Sequence, residues 1–127
     1  MTAAANVRSL RPMRVLLVTD DDRLAHRAET AAAVQGLPLA CTSSTDDLET
    51  ARERHDANIV ALDARRALGR AARSATAFAT LHTRVAVVLV ARDAPARGLA
   101  GVRLVSSWSP AERLLGELER AYLGLDR

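Results

Sequence analysis

Apolar positions along this chain come in short unbroken runs, separated by longer segments in which they recur every three or four residues. The first run, Val15 to Val18, is continuous, as a strand covered on both faces requires. Arg23 to Gln35 follows with Leu24, Ala28, Ala31 and Ala32 on one helical face, and Gly36 supplies the stop. Leu37 to Thr42 reads as a second, weaker strand. Asp46, with Glu49 three positions on, predicts the cap of a short helix that turns Leu48 and Ala51 inward. Asn58 to Leu62, NIVAL, is a third strand, and it ends at Asp63. Leu68, Ala71, Ala72, Ala75 and Ala79 then recur at helical spacing and form a small-residue face able to lie close on a sheet.

Arg84 to Ala91, RVAVVLVA, is the most strand-like segment of all. Pro95, Gly98 and Gly101 interrupt residues 92–101, so about one or two helical turns fit there at most, and a helix at this point is shortened or missing. Val102 to Val105 is the fifth strand. Ser109-Pro110-Ala111-Glu112 is a capping box with proline at the first helical position. Leu114, Leu115, Leu118, Ala121, Tyr122 and Leu125 continue it as an amphipathic terminal helix. Five strands alternating with helices imply right-handed crossovers and a parallel sheet covered on both faces, a three-layer α/β sandwich. Residues 13–127 are expected to form one domain, preceded by a disordered leader over residues 1–12.

Composition narrows the function. All 18 basic residues are arginine; the chain has no lysine. The net charge is +3, but the arginines are interleaved with acids, and Phe78, Trp108 and Tyr122 are the only aromatics on which bases could stack. Nucleic acid is therefore not the expected partner. Cys41 has no second thiol to pair with, and His26, His55 and His82 stand apart without zinc-ligand spacing. No stretch has the apolar length of a membrane span, and no secretory signal opens the chain, so the expected compartment is the cytoplasm and no membrane partner is implied.

The chemistry lies where strands end. Thr19, Asp20, Asp21 and Asp22 follow the first strand, and Asp63 closes the third. In a flavodoxin-like sheet of order 2-1-3-4-5 these two strands are neighbours, and their carboxyl ends flank the crevice where ligands bind. Asp20, Asp21 and Asp63 can then converge into an oxygen site suited to Mg²⁺, which would relieve their mutual repulsion. Acids in the first turn of a helix are also stabilised by its dipole, which is a sufficient account of Asp22 and an equal alternative for Asp20. No glycine-rich turn follows the first strand, so a dinucleotide site or P-loop is not expected.

In this order and spacing the chain resembles the receiver domains of bacterial two-component response regulators, over essentially residues 13 to 125. VLLVTDDDRL resembles the family's first strand and acidic turn, ANIVALDAR the strand bearing the phospho-accepting aspartate, VVLVARD the fourth strand, and VRLVSSWSPAERLL the fifth strand and last helix. The resemblance makes Asp63 the phosphoacceptor candidate and implies Mg²⁺ on the neighbouring acids. It also marks departures. Thr19 stands where one metal-binding acid is expected. Val90 replaces the hydroxyl that contacts the phosphoryl group, Ser106 the lysine that steadies it, and Arg103 the aromatic that couples it to the signalling face.

Asp63 thus has two readings, a working phosphoacceptor or an acid retained in a degenerate pocket. The preferred expectation is an atypical receiver-like module, not an enzyme, that requires no cofactor and signals by binding a protein, either a sensor kinase or a downstream effector. A homodimer and a detached regulatory domain of a larger complex are also compatible. Contacts are expected from Arg103, Trp108, Leu115 and Tyr122, with Trp108 either an exposed anchor or a lid on the last helix. No DNA-binding output domain is expected after Arg127. An arginine guanidinium swung into the vacated place beside Asp63, replacing the cation that was lost, would overturn the case for a silent pocket.

Overall fold

The computed structural model describes residues 13–44, 46–92, 101–106 and 111–124. Strands and helices run in the order β1 (Val15–Val18), α1 (Asp22–Gln35), β2 (Leu39–Thr42), α2 (Leu48–His55), β3 (Ile59–Asp63), α3 (Leu68–Leu81), β4 (Ala86–Ala91), β5 (Val102–Ser106) and α4 (Ala111–Leu123). The strands pair in parallel as one sheet in the order β2-β1-β3-β4-β5, the expected flavodoxin-like arrangement. The segment expected to hold a stunted helix falls largely on residues 93–100, and the expected leader on residues 1–12. Both lie outside the described residues.

Strand side chains alternate between two cores because successive residues point to opposite faces. Val15, Leu17, Ile59, Ala61, Val88 and Val90 meet α1 and α4 through Ala28, Ala32, Leu115 and Leu118. Leu16, Val18, Val60, Leu62, Val87 and Leu89 meet α2 and α3 through Ala51, Ala75, Phe78 and Ala79. Leu16, Leu17, Ile59 and Leu89 are fully buried, each contributing about 1.5–3 kcal/mol by removal from water. Alanine on the facing helices lets their backbones approach the sheet, which is how a chain with so few aromatics fills its interior.

Local chemistry shifts several boundaries. Gly36 ends α1 in the left-handed region at φ 67°, and the Leu37 N–H closes on the Ala32 carbonyl at 2.9 Å. Leu37 is thereby used by the helix end, and β2 starts only at Leu39. The cap expected at Asp46 belongs to Asp47, whose side chain accepts the Thr50 N–H. Asp46 is held instead by the Thr42 hydroxyl and the Ser43 N–H, and Glu49 pairs with His82 rather than closing a capping box. His82 in turn lies 4.4 Å from the Phe78 ring, so the end of α3 is clipped to α2.

Candidate functional site

The register Val18↔Leu62 brings Thr19, just beyond β1, level with Asp63 at the end of β3. Thr19 donates its hydroxyl proton to Asp63 Oδ2 at 2.7 Å, and its oxygen accepts the Asp21 N–H at 3.0 Å. The three consecutive aspartates of the turn then divide their work. Asp20 is bonded by the Ser43 hydroxyl, by the Ser44 N–H at 3.0 Å and by the Ser44 hydroxyl. Asp21 is the N-cap of α1 and accepts from the N–H groups of Arg23 and Leu24. Asp22 lies in the first turn of α1, where the helix dipole favours an acid.

The cation of the site is Arg65. Its backbone N–H lies 3.2 Å from Asp63 Oδ1, an Asx-type turn, and its Nε is 2.8 Å from the same oxygen. Its Nη2 reaches Asp63 Oδ2 at 2.8 Å and Asp21 Oδ2 at 2.6 Å. Asp63 therefore accepts four hydrogen bonds, two on each oxygen, all from its own chain. A carboxylate offers about four such acceptor sites, so this one is filled. The pair is partly shielded, with 11 % of the Asp63 and 23 % of the Arg65 side chain exposed. Its worth falls between the near-zero of exposed pairs and the several kcal/mol at stake when a buried one is broken.

These contacts set the ionisation. Burial pushes the Asp63 carboxyl up, but the bonds from Arg65 and Thr19 outweigh it and hold the group below its ordinary range. Asp21 is lowered chiefly by Arg65, and Asp20 chiefly by Ser44. Arg65 is raised by Asp63 and stays a cation.

Two expectations need correction. Sequence reasoning left the pocket without a cation once lysine was absent, but Arg65 provides one; only its place two residues beyond the strand-end acid hinted at this. The metal set of Asp20, Asp21 and Asp63 is not gathered either. Asp20 turns to the serines of the β2–α2 loop, and Arg65 lies on the edge that Asp21 and Asp63 share. Among the described residues no three acidic, imidazole or thiol groups are placed to hold a metal ion. The Mg²⁺ that the resemblance implies does not fit this arrangement.

The remaining family positions are also placed. Val90, the Cα partner of Asp63, is 3 % exposed and offers no hydroxyl. Ser106 closes β5, paired with Ala91. Arg103 is exposed and donates to Glu117 of α4 at 3.1 and 3.3 Å. Leu115, expected on a contact surface, is 2 % exposed because its turn of α4 faces the sheet, so it belongs to the core. Tyr122 is half-buried against the same core, and Trp108 lies outside the described residues. The site opens into a cavity of about 390 Å³ between the β2–α2 loop and the start of α3, lined by Thr19, Asp20, Asp21 and Asp63 together with Leu48, Leu62, Arg66 and Arg70.

No protein-family model and no curated protein matches the sequence. Solved structures do. An atypical orphan response regulator matches at 17% identity with a TM-score of 0.71, covering 87% of this chain and 96% of the other. HP1043, an orphan response regulator of H. pylori, matches at 18% identity and 0.66, with the same coverage. A CheY-like receiver domain protein from Methanospirillum hungatei matches at 13% and 0.66, covering 91% and 97%. The chain has the fold of the response-regulator receiver domains. At these identities the likeness is one of fold. Among the described residues no helix is long and apolar enough to cross a membrane.

Proposed function

We propose that the chain is an atypical receiver-like signalling module that acts by binding another protein without being phosphorylated. One observation carries this reading: every acceptor site of the Asp63 carboxylate is engaged within the chain, so the group that would attack a phosphoryl donor has no lone pair free to do so. Val90 and Ser106, standing where the family keeps a hydroxyl and a lysine, point the same way. One structural neighbour is described as having a phosphorylation-independent regulatory mechanism, which makes such a device plausible on this fold. We assign the contact surface to β5 and α4, with Arg103 and the exposed part of Tyr122, and keep Trp108 in it on the sequence alone.

A second reading keeps Asp63 as phosphoacceptor. Arg65 favours it, since a guanidinium beside the acid is the cation whose return would speak for a working pocket. It comes, however, from the turn after β3 and is taken up in bridging Asp63 to Asp21, not from Ser106 at the end of β5, where the family keeps its lysine. Titration with beryllofluoride and Mg²⁺, followed through backbone amide shifts, separates the two. The expected result is no coherent change around Asp63 and β5. A saturating response that Asp63→Asn abolishes would replace the first reading by the second.

A further inference from the structure

We infer that the Arg65 guanidinium is the resident cation of this pocket, a positioning residue that fastens Asp63 at the end of β3 to the N-cap of α1 at Asp21 and fills the edge a divalent ion would need. The inference deepens the reading above and rests on this being the receiver-like pocket. It is carried by geometry. The Arg65 backbone N–H, Nε and Nη2 all end on Asp63, and Nη2 also bridges to Asp21. A planar fork suits this task, because it meets two carboxylate oxygens at once and holds its charge at any ordinary pH. An ammonium, a point charge, would not orient Asp63 in the same way.

The residues in direct contact agree with Arg65 as the counter-charge of Asp63 and Asp21, while Arg66 and Arg70 line the wider cavity. Two carboxylates face a single guanidinium, and the third position, where an ion would profit from another acid, is Thr19, a neutral group that donates to Asp63. Asp20 lies outside the cluster, bound to Ser43 and Ser44. An incoming ion would have to displace a cation attached to the same loop, whose short tether gives an effective concentration in the millimolar range or above. Two carboxylates alone form a weak site for an ion that gives up its water reluctantly. The tethered group therefore prevails.

The test needs neither a phosphoryl mimic nor a partner, so its outcome is separate from that of the proposed function. Mn²⁺ is titrated into the wild-type chain, Arg65→Gln and Arg65→Lys, and paramagnetic broadening is followed at the amides of residues 19–21 and 63–65. Arg65→Gln should bind Mn²⁺ ~10-fold or more tightly than wild type, with saturable broadening that Mg²⁺ reverses, whereas Arg65→Lys, which keeps the charge, should stay close to wild type. Equal broadening in wild type and Arg65→Gln, or a folded Arg65→Gln without any, overturns the inference. The Arg65 Nε–H resonance of the wild-type chain decides independently of how the variants fold. It should exchange slowly and ignore Mg²⁺, and its displacement by Mg²⁺ would equally overturn the inference.

Discussion

The hydroxyl of Thr19 reaches Asp63 across 44 residues of sequence, donating to its carboxylate while accepting the backbone N–H of Asp21. Only a group that is both donor and acceptor can serve both, and a carboxylate at this position could not donate. Thr19 is 8 % exposed, so water cannot readily replace what its removal would leave unpaired. Thr19→Val keeps the shape and should destabilise the fold by about 1–3 kcal/mol, whereas Thr19→Ser should stay much closer to wild type. Urea unfolding of both variants at neutral pH is the measurement. A valine variant as stable as the parent would show that the bond contributes nothing in solution.

Acid should weaken the fold in a way that depends on Arg65. Burial raises the Asp63 carboxyl, yet the bonds from Arg65 and Thr19 leave it depressed; Asp21 is depressed chiefly by Arg65. A carboxyl whose folded value lies below its unfolded one adds stability that is complete above the unfolded value, about 4, and is lost as pH falls through the folded value. Stability should thus be level near neutrality and decline below about pH 4. Asp63→Asn and Arg65→Gln should each flatten that decline, the first by removing the titrating carboxyl and the second by bringing the folded values of Asp63 and Asp21 up toward the unfolded one. Urea midpoints measured across an acid pH series test both shifts, and parallel curves for all three proteins would refute the assignment.

Two glycines should respond in opposite directions to alanine. Gly101, entering β5, has φ 73°, and an added Cβ would meet the Ala79 Cβ at 3.2 Å. Gly101→Ala therefore combines left-handed strain with a tight contact against α3, and should cost about 1–2 kcal/mol. Gly116 lies inside α4 with nothing within 4 Å of an added Cβ. Gly116→Ala should stabilise by about 0.5–1 kcal/mol through the lower entropy of the unfolded chain. Thermal melting of the two variants should move to opposite sides of the parent.

The fold could be read from the chain because its signals are local and repeated. Unbroken apolar runs such as VLLV and NIVAL mark strands buried on both faces, and Gly36 marks a helix end that few other residues could make. The site was less accessible. Asp20, Asp21 and Asp22 look alike in sequence, and only the fold separates them, by bringing Ser43 and Ser44 to the first, Arg65 to the second and a free helical turn to the third. Arg65 gave only the faint signal of its place two residues past Asp63, because where a long side chain in a loop points is set by the backbone beneath it. The cap moved from Asp46 to Asp47 for a similar reason: Thr42 and Ser43 compete for the earlier acid. Leu115 lies on the helix its spacing predicts, but the single apolar stripe of that helix covers the sheet and leaves none of Leu115 to meet a partner.

A counter-ion that belongs to the polypeptide cannot be diluted, chelated or exchanged. On the reading proposed above, the setting of this junction is then written in the gene and renewed with each copy synthesised.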